Sequence, residues 1–477
     1  MEVVIGRTRQ ISELREALSS KKPEMVALVG RRRIGKTYLV RQVYEGRINF
    51  ELTGIQHGDK AQQLQNFLYT MGRYFPAYEL KENPKNWLAA FNELAWAMES
   101  VMGTQKAVVF LDELPWLGTR RSDFIKGLSY FWNSWASRHN IVLVVCGSAA
   151  SWVINKVIND KGGLHNRVTR LLSLPPFTLA ETEAFCKSRN IRLNRFQLLQ
   201  LQMTIGGVPM YLDLLKPGLS ATQNIQRICF DQSGFLRKEF DRLFDSLFND
   251  PKRHIAIIKA LAGKRKGLTR QEVIKVTGLP NGGAMTRNLE ELEASGFITA
   301  YGGYKKRVKD QLYRLTDAYS LFYLTYIEPL GIRQKASFTE LKDLPNWSSW
   351  SGYTFENICL AHTDQIKRAL GINGVSTLIS SFIARPADGL PGAQIDLLID
   401  RSDHSINLVE AKFSRNTFKL TQAVMKSLRR KQEVFQYHTE TKKHVFLTLI
   451  TTHGVAGPEH LRAEIDQVIT MDDLFVE

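Results

Sequence analysis

The stretch "MVALVGRRRIGKTYLV", residues 25–40, decides how the first part of the chain folds. It opens as an apolar strand-like run and closes on Tyr38, Leu39, Val40 and, three residues on, Val43, a helical spacing. Between them Gly30, Gly35, Lys36 and Thr37 fall in the spacing GxxxxGK[ST]. Glycines let the backbone curl so that several amides point inward, and the helix N-terminus adds partial positive charge. That is a cradle for phosphate. Lys36 would neutralise the outer phosphates, and Thr37 would offer its hydroxyl to Mg²⁺. The expected nucleotide contacts are therefore Gly30, Arg31, Arg32, Arg33, Ile34, Gly35, Lys36, Thr37 and Tyr38, with ATP or ADP as ligand.

Such a cradle predicts a second strand ending in acid, and "AVVFLDELPWL" (107–117) supplies one. Asp112 ends the apolar run, where it can hold the Mg²⁺ shell. Glu113 follows, where it can polarise an attacking water. A further buried run, "IVLVVCGSAASW" (141–152), ends in Ser148, within reach of a terminal phosphate or its water. In "HNRVTRLLSLPPF" (165–177), Arg167 or Arg170 could supply charge to a transition state. Apolar runs alternate with amphipathic helical stretches up to about residue 175, the pattern of an α/β domain with a buried parallel sheet.

The ordered set Gly6-Arg7, GRRRIGKT, FLDE, CGSAASW, NRVTR and "IGGVPMYL" (205–212) resembles the AAA+-related P-loop ATPases of the archaeal type, in the STAND class. The resemblance covers residues 1 to about 245. It implies that Ser148 holds the sensor position and Arg167 the family's arginine. It also implies that Gly206, Gly207 and Pro209 belong to a helical lid reporting nucleotide state. Two positions depart from the family pattern. Gln10 stands where a glutamate is usual, and Asn166 where a glycine usually precedes the arginine.

At 477 residues the chain exceeds one ordinary core, so several domains are expected. The four cysteines, Cys146, Cys186, Cys229 and Cys359, are scattered without CxxC spacing. This suits a reduced, cytoplasmic protein without a disulfide or zinc framework. No window approaches 18 apolar residues, and the N-terminus lacks a signal-peptide layout, so no membrane span is expected. The net charge of +17 points to a polyanionic partner, nucleic acid first and a membrane surface second. Residues 251–316 hold 14 Lys/Arg against 5 Asp/Glu, about half of that excess.

This basic segment reads as a first helix bearing Ile255, Ile258 and Leu261, then a second capped by Thr269. A third bears Met285, Leu289 and Leu292 before Gly296, and "FITAYGG" with "KKRVKDQLYRL" makes a hairpin. Three helices and a hairpin resemble the winged-helix family. The resemblance implies a third helix for the major groove and a wing for phosphates. Arg270, Arg287, Lys305, Lys306 and Arg307 are the expected phosphate contacts. Protein docking stays open, because "NLEELEAS" is acidic for a groove-reading helix.

Towards the C-terminus, "AQIDLLIDRSDHSINLVEAKF" (393–413) reads as a hairpin with charges inside apolar strands. The spacing E-x-K occurs four times in the chain, but only Glu410-x-Lys412 lies in an apolar strand. There a period of two puts both side chains on one face. Burying unpaired charge is costly. A divalent cation, Mg²⁺ or Mn²⁺, between Asp396 and Glu410 would offset the cost, with Glu356 as a further ligand and Lys412 beside a metal-bound water. Glu356, Asp396 and Glu410-x-Lys412 in this order resemble the PD-(D/E)xK nuclease superfamily over about 350–450. Lys426, Arg429, Arg430 and Lys431 would follow on a helix and could hold DNA backbone.

The expected architecture is α/β multidomain. It comprises an AAA+-like P-loop parallel-sheet core (1–175), a helical lid (176–248), a winged-helix domain (249–328), a linker (329–350) and a restriction-endonuclease-like α/β domain (351–477). The expected function is a DNA-directed ATPase with a metal-dependent nuclease domain. The rival is an ATPase switch that binds DNA or a protein partner without cleaving. The residues leave open whether the chain forms a homo-oligomer.

Overall fold

The computed structural model describes residues 4–476, apart from 120–121, 160–161, 249, 265–266, 307–309, 332–336, 342–343 and 387–390. Arg307 lies outside the described residues. The chain forms two compact units. One comprises 1–176 with 246–249 and 290–296; the other comprises 177–245, 250–289 and 297–477.

The first unit is built on β1 (Glu24–Val29), β2 (Ile48–Thr53), β3 (Ala107–Asp112), β4 (Ile141–Gly147) and β5 (Arg170–Ser173). They pair in parallel in the order β2-β3-β4-β1-β5. Every residue of β1, β3 and β4 is buried, as expected of central strands covered on both faces. Alternate side chains enter opposite cores. Met25, Ala27, Val29, Val109, Leu111, Leu143 and Val145 join one cluster, whose bulk is aromatic: Phe50, Phe67, Trp87, Phe91 and Phe131. Val26, Leu28, Val108, Phe110, Val142 and Val144 join the other, under the helices Thr8–Ser19 and Lys36–Val43. Each large side chain withdrawn in this way contributes about 1.5–3 kcal/mol. The carboxyl ends of β1, β3 and β4 come together at one edge of the sheet, where open α/β sheets hold ligands.

In the second unit, residues 177–245 are helical, as expected, with capping boxes at Thr178/Glu181 and Ser220/Gln223. Next comes a small antiparallel sheet of β6 (Leu268–Thr269), β7 (Ile298–Tyr301) and β8 (Leu312–Leu315), ordered β6-β8-β7. The helices Pro251–Ala262 and Arg270–Thr277 accompany it, and Thr269 with Glu272 caps the second of them as the sequence suggests; a third helix, Gly283–Ala294, begins in this unit. A larger mixed sheet follows. Its strands are β9 (Thr377–Ala384), β10 (Ala393–Arg401), β11 (Ser405–Lys412), β13 (His444–Thr451) and β15 (Gln467–Thr470), with a minor pair β12 (Phe418–Lys419) and β14 (Val455–Ala456). Its order is β15-β13-β11-β10-β9, antiparallel across β9, β10 and β11 and parallel across β11, β13 and β15.

Two features differ from expectation. The segment 329–350 is not a bare linker, because the helix Pro345–Ala361 begins inside it. Trp347 and Trp350 are buried there, 4.8 Å apart, and Trp350 packs 5.5 Å from both Phe322 and Tyr326. Pro345 marks a helix start rather than a break, since its missing N–H is not needed at the first turn. The second difference is the hairpin expected as a wing. Its tip lies along edge strand β9, with Tyr304 N donating to Ser381 O (2.7 Å) and Ser381 N to Gly302 O (3.1 Å). The Tyr304 ring enters the core of the larger sheet, 5.3 Å from Phe435.

Candidate nucleotide and carboxylate sites

The loop between β1 and the helix Lys36–Val43 has the geometry that its sequence calls for. Gly30 sits at φ 151°, and a Cβ there would meet Ile34 Cδ1 and Leu174 O at 2.5 Å, so only glycine is accommodated. Gly35 caps the helix at φ 84°. The Lys36 ammonium is buried and donates to Gly30 O (2.9 Å), Arg31 O (2.9 Å) and Ser148 Oγ (3.1 Å). Thr37 Oγ1 donates to Asp112 Oδ2 at 2.7 Å, across the gap between β1 and β3. Hydroxyl and carboxylate oxygens so close form a donor set that fits a hard divalent cation.

Glu113 turns sharply out of β3 with φ 51°. Its carboxylate is clasped by one residue of β4's end: Ser148 Oγ donates to Oε1 (2.6 Å) and Ser148 N to Oε2 (3.0 Å). Five sequence-expected residues, Lys36, Thr37, Asp112, Glu113 and Ser148, are thus joined by hydrogen bonds. Arg31 is buried in the loop, Arg32 lies over the Trp116 ring at 5.7 Å, and Tyr38 is 41% exposed. Arg167 is exposed in the turn before β5, and no bond joins it to the loop among the described residues. Arg170 instead pairs with Glu16 (3.1 Å) and Glu24 (3.8 Å). Gln10 donates to Ser173 O (3.2 Å).

In the second unit, Pro209 opens the short helix Pro209–Leu212. The preceding Gly207 packs so tightly on Phe177 that a Cβ would lie 2.1 Å from its carbonyl oxygen.

The carboxylates of the C-terminal hairpin lie in the same unit. Strands β10 and β11 pair with Leu397 opposite Val409, so one hairpin holds Asp396 and Glu410 as expected. A bulge on β10 against β9, between Ile395 and Leu398, takes in Asp396. Such bulges re-aim side chains and are frequent beside functional sites. Glu410 is buried, and both its oxygens are paired: Oε1 with Lys412 Nζ (2.7 Å), Oε2 with Lys431 Nζ (2.6 Å). Burial opposes its charge, but Lys431 and then Lys412 outweigh that and hold the Glu410 carboxyl below its ordinary value. Glu356 behaves oppositely. Burial and then the Asp396 charge push it up to about 7, against the pull of Arg314. Glu410 adds a smaller push, so the three acids share one field.

Arg314, from β8, is the residue that sequence reasoning missed. Its side chain is 5% exposed and bridges Glu356 Oε2 (3.1 Å) and Asp396 Oδ1 (3.0 Å), with its guanidinium 4.6 Å over the Tyr353 ring. Asp396 Oδ1 also accepts from Gln394 (2.7 Å). In this conformation the donor set therefore does not fit a metal ion. Among the described residues, no three His, Cys, Asp or Glu side chains gather closely enough to hold one. The only sequence signal was a lone arginine in the apolar strand "LYRL".

Several expected DNA contacts have internal partners. Arg270 braces the turn ahead of the third helix through Asn281, Gly282 and Thr286. Lys306 reaches Ile383 O, Lys305 lies over Tyr304, and Arg429 pairs with Glu464. Arg287, Lys426 and Arg430 are exposed.

Residues 5–215 match a family model described as an ATPase domain predominantly from Archaea. An uncharacterized protein of Methanocaldococcus jannaschii is 23% identical over 436 residues, covering 90% of this chain and 92% of that protein. Among solved structures, a Walker-type ATPase of Pyrococcus abyssi covers 68% of this chain and 96% of its own, with 18% identity and a TM-score of 0.50. The ORC2 protein of Aeropyrum pernix, in ADPNP and ADP complexes, covers 69% and 97%, with 14% identity and a TM-score of 0.41. The family match supports ATPase function for residues 5–215, and the Pyrococcus likeness supports the parallel-sheet P-loop fold. Among the described residues, no helix is long and apolar enough to cross a membrane.

Proposed function

We propose that this chain is an ATP-hydrolysing switch whose second unit acts on DNA. The observation that carries the ATPase reading is the bonded chain Lys36–Ser148–Glu113 beside Thr37–Asp112. Thr37 and Asp112 would hold Mg²⁺, which neutralises phosphate charge when bound. Lys36 now donates to two loop carbonyls and a hydroxyl, and a phosphate in the loop offers it stronger, charged acceptors. Ser148 Oγ then loses its lysine and gains a phosphate oxygen to bond, which loosens its grip on Glu113. The freed carboxylate accepts a proton from water as the water oxygen bonds to the γ-phosphorus. The bond to the β-phosphate oxygen breaks, and ADP leaves with the electron pair.

For the second unit, the order of helices and strands over 251–315 supports a winged-helix module, and the mixed sheet supports a nuclease-like one. Metal-dependent phosphodiester hydrolysis at Asp396, Glu410, Lys412 and Glu356 is the reading favoured by the bulge at Asp396 and the shared field of three acids. A switch that binds DNA or a protein without cleaving is favoured by the Arg314 bridge, which satisfies the same acids without metal.

Incubation with single- and double-stranded DNA, Mg²⁺ or Mn²⁺, with and without ATP, tests both. The expected result is ATP turnover lost in Lys36→Ala and DNA cleavage lost in Asp396→Ala. Cleavage by Asp396→Ala at the wild-type rate excludes the hairpin as its source. ATP-sensitive DNA retention without cleavage selects the binding switch.

A further inference from the structure

We infer that Arg314 is a latch that competes with a divalent cation for Glu356 and Asp396, so that the wing strand closes the carboxylate site. The inference rests on the nuclease reading above and concerns its regulation. The guanidinium takes one oxygen from each acid, and these acids come from different elements, the helix Pro345–Ala361 and strand β10. A cation between two such carboxylates is what a metal ion would supply.

The arginine is not part of the module that it neutralises. It rides on β8, the middle strand of the small sheet. That strand is fastened to the module beside the acids, where Tyr353 Oη and Asn357 Nδ2 both donate to Leu315 O at 3.1 Å. The hairpin tip is fastened separately, through Gly302 and Tyr304 along β9. Both attachments involve backbone groups, so the wing docks as a shaped element and carries Arg314 in with it. Glu410 is treated differently. Its two lysines come from β11 and from the helix Gln422–Thr439 of the same module, and they stay when the wing leaves. Undocking the wing would therefore strip positive charge from Glu356 and Asp396 alone. Two partly buried acids that lose their shared cation repel one another, and a divalent cation relieves them.

The test is Mn²⁺ binding to the full-length protein without nucleotide, read by the electron paramagnetic resonance of free Mn²⁺. Wild type, Arg314→Met and Arg314→Lys are compared, each with and without Asp396→Asn, and melting is followed with and without Mn²⁺. Arg314→Met is expected to gain an Asp396-dependent Mn²⁺ site at least about tenfold tighter than any in wild type, a step of about 1.4 kcal/mol. Mn²⁺ should also restore melting temperature to Arg314→Met and leave wild type unmoved. Equal Asp396-dependent affinity in wild type and Arg314→Met overturns the latch and leaves the nuclease reading standing. No Asp396-dependent Mn²⁺ in any folded variant overturns both. If Arg314→Met does not fold, Arg314→Lys and Tyr304→Ala, which loosens the tip, decide by the same criteria.

Discussion

In the proposed hydrolysis Glu113 would be both the reactive group and the restrained one. Both its oxygens accept from Ser148, which lowers their basicity until the Oγ bond opens. Glu113→Gln removes the base but keeps an amide able to accept from Ser148 N. The variant should bind ATP about as tightly as wild type, while hydrolysis falls by about 10²–10⁴, the range typical of losing a general base. Fluorescent-nucleotide titration beside phosphate release measures both, and weak binding by the variant would mean that Glu113 holds the loop instead. This set was legible because a phosphate loop is local. Gly30 to Thr37 is a single continuous run, and its acid ends the adjacent strand. Arg314 was not legible. It lies 42 and 82 residues from the acids that it bridges, and nothing in a strand pattern says which distant carboxylates a buried arginine will meet.

Elements were read well where one period held throughout. β1, β3 and β4 are uniform apolar runs, and β10 with β11 pairs as the hairpin their sequence suggests. Reading failed where tertiary packing overrode local cues. Proline and polar residues around 345 suggested a linker, yet the tryptophans there are drawn into an aromatic cluster. The bulge at Asp396 has no sequence mark, because it arises from pairing with β9. A third case is His362, which ends the helix Pro345–Ala361. Its Nε2 accepts from Leu179 N (3.0 Å), the first amide of the helix Leu179–Ser188, and its Nδ1 bonds Ile358 O (2.8 Å). Accepting at Nε2 requires the neutral ring, and burial holds its pKa below the ordinary 6.5. As pH falls through 6.5, the unfolded chain takes up a proton that the native ring refuses, so stability present above that pH is lost on acidification. One such proton is worth about 1.4 kcal/mol per pH unit. Melting of His362→Gln between pH 7.5 and about 5.5 should therefore show a shallower acid slope than wild type, from a lower starting point. Parallel slopes would mean that His362 charges without cost.

At the scale of the whole chain, the net charge of +17 is the coarsest clue, and the fold divides it unevenly. Arg270, Lys306, Arg314, Arg429 and Lys431 each have an internal partner, so a count of basic residues overstates what can meet a polyanion. Arg287, Lys426 and Arg430 remain exposed in the second unit and are the better candidates for phosphate contact. The distinction is measurable, because each phosphate neutralised releases counterions and steepens the salt dependence of binding. A surface holding about four phosphates should lose roughly a hundredfold in affinity between 50 and 200 mM salt. Replacing an exposed contact, as in Arg287→Ala, should reduce the slope by about one. Replacing a braced residue acts differently: Arg270→Ala should lower the melting temperature of the chain more than it changes the slope. Fluorescence anisotropy with a short duplex across a salt series separates these effects. A flat salt dependence in wild type would remove DNA as the partner, and it would leave the basic second unit as a surface for docking protein.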